Sequence, residues 1–364
     1  MRVNFLEFKN YRNLHEGTVE FSSGINVIYG ENAQGKTNLL EAVWLLTGAR
    51  SFRGSKDKDL VSFRADYARI SGAVEAEGRE NEIKITLKDN KRMAEINEIN
   101  RGVATNIIGF FKAVIFSPEH LSLIKGSPEN RRKFIDAAIC QMKPVYAVQL
   151  VKYNRTLKHR NFLLKSISHS PMLEDTLEIW DKKLAEYASV VIEERIKYTE
   201  EISKTAEKFY FEISGGETLK IDYASWEKFK GLTKNEIKEF FVKKLQGSRK
   251  EDIAKGITGS GPHRDEINIS IDGKPARLFG SQGQQRSAAI CLKFSEAQIA
   301  TKAAKEPPII LLDDILSELD EKRQNQLFKL AGEAQVLITG CIKPVMKLKH
   351  KNFFVEKGKI FTEE

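Results

Sequence analysis

Gly30-Glu31-Asn32-Ala33-Gln34-Gly35-Lys36-Thr37 fits the pattern Gly-x-x-x-x-Gly-Lys-Ser/Thr. Before it stands an apolar run, Ile25-Asn26-Val27-Ile28-Tyr29, that reads as a buried strand. After it, Asn38 to Leu46 carries apolar residues at helical spacing. A strand, a glycine-rich turn and a helix in that order are the context in which this pattern becomes a phosphate site. Backbone N–H groups of such a turn form a nest for anionic oxygens, and the helix N-terminus adds its positive end. Gly30, Glu31, Asn32, Ala33, Gln34, Gly35, Lys36, Thr37 and Asn38 are therefore the expected nucleotide-binding set. Lys36 is placed to reach the β/γ-phosphates and the Thr37 hydroxyl to ligate Mg²⁺.

The chain has 364 residues, long for one compact domain, and 41% of them are hydrophobic, ample for a core. Lys and Arg number 59 against 50 Asp and Glu, a net charge of +9. That excess suits a polyanion partner and equally a solvated basic surface. No run is long and apolar enough to cross a bilayer. The opening Met1–Phe8 alternates like a strand and does not read as a signal peptide. Cys140, Cys291 and Cys341 are scattered, fit neither a disulfide framework nor a metal site, and read as reduced core thiols of a cytoplasmic protein.

From Met1 to about Phe116 the pattern is strand-rich, with candidates at Arg2–Phe8, Gly17–Phe21, Ile25–Tyr29, Ala68–Ala76, Glu82–Leu87 and Ala113–Phe116. Between about Pro118 and Lys255 it turns helical. Ser127, Pro128 and Glu129 mark one helix start. Leu177, Trp180, Leu184, Tyr187, Val191, Ile192 and Ile196 keep an apolar stripe on another. Strands and a helix return after about Gly259, with Glu266–Ile271, Gly283–Ala304, Pro308–Asp313, Gln335–Thr339 and Asn352–Glu356 as candidates. The pattern predicts an α/β nucleotide domain, residues 1–116 plus 259–364, interrupted by a helical insertion over 117–258.

In the returning half, Pro308-Ile309-Ile310-Leu311-Leu312-Asp313-Asp314 is an apolar strand that ends in paired carboxylates. Asp313 then sits at the rim of the sheet beside the phosphate loop, able to hold Mg²⁺ through water or Thr37, the Walker B role. Asp314 would face the γ-phosphate, where a carboxylate orients the attacking water.

Leu278-Phe279-Gly280-Ser281-Gln282-Gly283-Gln284-Gln285-Arg286 resembles the signature loop of the ABC ATPases, with Gln282 in place of the family's first glycine. The resemblance implies a mixed-sheet ABC-type head carrying the phosphate loop, and a trans role for Ser281, Gly283 and Gln284 on the nucleotide of a second subunit. Ser317-Glu318-Leu319-Asp320 looks like the D-loop of that class. Three further stretches narrow the likeness: Phe116–Leu121 with Ile124–Asp136, Gly261-Pro262-His263-Arg264-Asp265, and Asp313–Asp320. They resemble the RecF family, recombination mediators related to SMC proteins. Phe8-Lys9-Asn10-Tyr11-Arg12-Asn13 is similar to the opening of SMC-type heads, which implies that Arg12 and Asn13 lie near the nucleotide.

That resemblance implies ATP and Mg²⁺ as cofactors, an ATP-dependent homodimer on DNA, weak DNA-dependent hydrolysis, and work at junctions of double- and single-stranded DNA. RecR, RecO and RecA are the partners it implies. Some positions depart from the wider ABC pattern. Asp314 stands where transporters and SMC proteins carry Glu, which fits slow turnover. No histidine lies near Leu337–Gly340, where Thr339 takes the switch position or simply ends a strand, and no clear Q-loop glutamine follows Phe116. His263-Arg264-Asp265, read as part of a strand, would face alternate sides and so form no direct triad. Arg131, Arg132 and Lys133 either contact DNA phosphates or pair within their own lobe. Lys56, Lys58, Lys88, Lys91 and Arg92, in loops and hairpins, are equally open. The competing class is an ABC-type ATPase with a non-DNA partner.

Overall fold

The computed structural model describes residues 1–167, 170–224, 229, 231–319, 321–343 and 348–363. Its first strands are β1 (Arg2–Tyr11), β2 (Leu14–Glu20), β3 (Ile25–Tyr29), β4 (Tyr67–Ala76), β5 (Arg79–Lys88), β6 (Lys91–Ile96), β7 (Ile99–Val103) and β8 (Ala113–Phe116). Then follow β9 (Leu219–Tyr223), β10 (Ile267–Ile271), β11 (Lys274–Pro275), β12 (Ile309–Asp313), β13 (Val336–Gly340), β14 (His350–Glu356) and β15 (Lys359–Glu363). These residues form two compact units, Met1–Leu121 with Ala289–Glu364, and Ser122–Ala288.

The first unit holds two six-stranded sheets. One is antiparallel, in the order β2-β1-β4-β5-β6-β7. The other runs β15-β14-β3-β13-β12-β8, parallel except for the antiparallel edge strand β15. Ile309–Leu312 and Ala113–Phe116 are buried without a break, as strands covered on both faces must be. Helix α1 (Lys36–Leu45) buries Leu39, Leu40, Ala42, Val43, Trp44 and Leu45 in a core shared with Leu6, Phe8 and Ile70 of the antiparallel sheet and Ile28, Leu311 and Leu337 of the parallel one. A helix apolar on nearly every side suits that position.

The second unit packs helices Pro128–Met142, Pro144–Ile167, Leu177–Ser214, Lys234–Gly247 and Arg249–Lys255 with the small antiparallel sheet β11-β10-β9. Ser127 stands at the N-cap of Pro128–Met142, with Pro128 in the first turn. From the apolar stripe of Leu177–Ser214, Leu177, Leu184, Val191 and Ile192 are fully buried. The unit is not purely helical, because Leu219–Tyr223 pairs with Ile267–Ile271. With that pairing, residues 259–288, expected in the nucleotide domain, belong to this unit, and the boundary falls inside helix Gln282–Ala304.

Candidate nucleotide site

In the parallel sheet, Ile28 pairs with Thr339 and Thr339 with Asp313, so β3, β13 and β12 end level with one another. Their C-terminal ends bring the phosphate loop, Thr339 and the two carboxylates to one edge, where open α/β sheets bind ligands. Thr37 Oγ1 donates to Asp313 Oδ1 at 2.7 Å, joining the two motifs across 276 residues. Thr339 Oγ1 donates to the same oxygen at 2.9 Å and accepts from the Asp314 N–H at 3.0 Å. Thr339, one residue before the end of β13, thus ties both carboxylate residues. Burial pushes the Asp313 carboxyl above the usual range, and the bonds from Thr37 and Thr339 oppose that push. Asp314 sits at a left-handed φ of 51°, a conformation that aspartate tolerates better than most side chains.

Gly30 follows β3 with φ 147°, and a Cβ there would lie 2.3 Å from the Val355 carbonyl of β14. No other residue fits. Lys36 is buried, and its ammonium donates to the carbonyls of Gly30 at 2.6 Å and Glu31 at 2.7 Å. Helix α1 starts from Gly35, which offers no side-chain cap, and has no acidic residue in its first turn. Its leading N–H groups are left for an anion.

Two flanking segments brace the loop. Asn13 Nδ2 donates to Ala33 O at 3.4 Å, and Asn38 Nδ2 donates to Asn13 Oδ1 at 2.7 Å. Arg53 Nη1 donates to Asn38 Oδ1 at 3.0 Å. On the other side the β14–β15 turn holds Gln34: Lys357 N donates to its Oε1 at 2.6 Å and Gly358 N to its O at 3.0 Å. Cys341 is exposed, not a core thiol, and its Sγ lies 3.0 Å from Asn32 Oδ1. Arg12 does not touch the loop directly. Its Nε donates to Glu41 Oε2 at 2.5 Å, an oxygen that also accepts from Tyr11 OH at 2.8 Å. Glu41 is fully buried on α1, so the pair anchors the N-terminal segment to the helix behind the loop. The sequence carried a signal for this: one carboxylate inside the apolar run Leu39–Leu46 requires a buried cation.

The loop at Ser281–Gln284 lies in the second unit. Gln284 N donates to Ser281 Oγ at 3.2 Å and Ser281 N donates to Gln284 Oε1 at 2.8 Å, a capping box at the start of helix Gln282–Ala304. Ser281 and Gly283 are exposed, beside an exposed Leu278 and Phe279. Of the D-loop-like segment, Ser317 Oγ donates to Asp314 O at 2.9 Å, and Asp320 lies outside the described residues.

Several sequence readings change. His263-Arg264-Asp265 is not on a strand; a turn closes from Arg264 N to Gly261 O at 2.8 Å. His263 Nε2 meets the Thr258 carbonyl at 3.0 Å and so donates, which leaves Nδ1 to accept from Tyr153 OH at 2.6 Å. Tyr223 OH donates to Asp265. Arg131 pairs with Glu266 at 2.9 Å and is buried, so the lobe-internal alternative holds for it; Arg132 donates to the Asp265 carbonyl and Lys133 pairs with Glu129. Arg92 is buried against the carbonyls of Gly48 and Ala49, which removes it from any surface. Lys56, Lys58, Lys88 and Lys91 are exposed.

The family model "RecF/RecN/SMC N terminal domain" matches residues 2–360, which makes the fold that of an SMC-like ABC-type ATPase head. Solved SMC heads share that fold at 18% identity and TM-score 0.57. The chain belongs to the RecF family. It is 39% identical to the DNA replication and repair protein RecF of Clostridium botulinum, covering 99% of each chain, and 42% identical to that of Caldanaerobacter subterraneus subsp. tengcongensis, covering 92% of each. A solved structure of "the recombination mediator protein RecF-ATP in RecFOR pathway" superposes with TM-score 0.94 at 39% identity, covering 100% of this chain and 97% of that one. No helix among the described residues is long and apolar enough to cross a membrane.

Proposed function

We propose that the chain is an ATP-dependent DNA-binding protein of recombinational repair, working in the cytoplasm. The observation that carries this reading is the Thr37–Asp313–Thr339 cluster, which joins the phosphate loop to the acidic end of β12. The residues present suit ATP with Mg²⁺: an uncapped helix N-terminus, a glycine at the one point where a side chain would strike β14, and a buried lysine turned onto the loop. Among the described residues no three His, Cys, Asp or Glu side chains form a metal cage, and magnesium in nucleotide sites relies instead on one or two carboxylates plus phosphate.

In this reading Gly30–Asn38 would cradle the triphosphate, with Lys36 released from its carbonyl partners to pair with phosphate oxygens, and Thr37 with Asp313 would hold Mg²⁺, which would supply charge neutralisation on the phosphates. Asp314 orients water. Asn13 fixes the loop's height, and Arg12 acts behind it through Glu41. Ser281, Gly283 and Gln284 serve the nucleotide of a second copy, so ATP drives a homodimer. The target in this reading is the junction of double- and single-stranded DNA, and RecR and RecO, which the RecFOR pathway of the solved relative names, are the partners in loading RecA. Hydrolysis is slow and DNA-dependent, and it releases the dimer.

Binding to gapped duplex across a salt series, with and without ATP, tests the reading. Affinity is expected to need ATP and to fall steeply with salt. Lys36→Ala weakens ATP binding by about 10- to 100-fold, the worth of a charged bond to phosphate. Absence of ATP-dependent DNA binding even at low salt overturns the DNA assignment in favour of a non-DNA partner.

A further inference from the structure

The residues assigned to a second subunit's nucleotide are held by one another and by a group outside the motif. Within the capping box, Gln284 uses its Oε1 on Ser281 N. Its Nε2 donates to Glu217 Oε1 at 2.9 Å. The other carboxylate oxygen, Glu217 Oε2, accepts from Tyr210 OH at 2.9 Å. Tyr210 is fully buried near the end of the long helix Leu177–Ser214, and Glu217 N donates to Ser214 Oγ at 3.1 Å. Both oxygens of one carboxylate are thus engaged, one by a rigid core group and one by the loop.

We infer that Glu217 is a positioning residue for the Ser281–Gln284 loop. An amide has two unlike ends. Glu217 accepts only, so it selects the NH₂ end of Gln284 and turns the oxygen toward the Ser281 N–H. With the amide reversed, NH₂ would face N–H, the capping box would open, and the Ser281 hydroxyl would lose its fixed direction. Glu217 therefore sets the geometry that the loop presents to a second copy, while standing outside the nucleotide site of its own chain. The inference rests on the trans reading of this loop under Proposed function.

ATP-dependent self-association, read by sedimentation, tests it alongside binding of a fluorescent ATP analogue. Glu217→Ala is expected to raise the dimer dissociation constant about tenfold, the scale of one lost bond to a charged group, and to leave nucleotide affinity within about twofold. Glu217→Gln restores association, since its oxygen accepts from Gln284 and its NH₂ donates to the Tyr210 hydroxyl. Gln284→Ala, which keeps the Tyr210–Glu217 pair, is at least as defective as Glu217→Ala, and the double variant is no worse than Gln284→Ala alone. Normal association of Gln284→Ala or Glu217→Ala, beside a defective Ser281→Ala, overturns the positioning role. Normal association of Ser281→Ala instead overturns the trans reading of the loop itself, and the inference with it.

Discussion

Thr339 fixes the acidic end of β12 through a single hydroxyl. It donates to Asp313 and accepts from Asp314 N, so it orients one carboxylate and steadies the backbone of the next residue. Thr339→Val keeps the shape and removes both bonds. Leaving buried polar groups unpaired costs about 1–3 kcal/mol. The variant is expected to bind Mg²⁺-ATP about 5- to 150-fold more weakly, and titration calorimetry checks this. An affinity equal to that of the parent would show that Asp313 is placed by Thr37 alone. Little in the sequence singles Thr339 out: a polar residue closing an apolar strand has many uses, and only the pairing of β13 with β12 gives it this one.

At the scale of elements, the turn between β14 and β15 is part of the phosphate loop's support. Gly358 has φ 75°, and a Cβ would stand 2.0 Å from the Asn13 carbonyl. Gly358→Ala must push the turn away from Gln34 and Asn13 together. We expect a loss of about 1–3 kcal/mol in stability and a weaker grip on nucleotide, measured by denaturant unfolding and ATP titration. Unchanged values for both would show that the turn is a bystander. The sequence made the central strands plain, because parallel strands buried on both faces are unbroken apolar runs. It hid β15, Lys-Ile-Phe-Thr-Glu, which is short and exposed at the sheet edge. β6 and β7 were hidden in the same way by their charged and turn-forming residues. β9 carries no strand signal of its own, because it follows a 38-residue helix in a charged, helix-like stretch. The site's motifs were legible as local patterns, and Glu41 inside its apolar run announced a buried partner without naming it; Gln34's partners and Glu217 were not legible, since each acts through residues distant in sequence.

At the scale of the whole molecule, the second unit carries a pH dependence. Burial pulls the His263 pKa down to about 4, aided by the nearby Arg264, Arg132 and Arg195, against the opposing bond to Thr258. An unfolded histidine titrates near 6.5. Between these values the unfolded chain holds a proton that the folded chain refuses, so stability falls as pH falls from about 6.5 toward 4. Denaturant midpoints at pH 7 and pH 5 are expected to differ less in His263→Gln than in the parent. An equal difference in both would assign the acid sensitivity elsewhere.

The strand order has a consequence for how the protein is made. β3, which carries the phosphate loop, has as neighbours only β13 and β14, and the loop's outer brace is Gly358. On the ribosome these segments emerge more than 300 residues after Tyr29, tens of seconds later at elongation rates of roughly 5–20 residues per second. Through that interval the loop's strand has no partner in its own sheet, and Asp313 and Thr339 have not met Thr37. A partly made chain therefore cannot close this site on ATP, and competence for the nucleotide arrives only when residues from both ends of the described chain have come together.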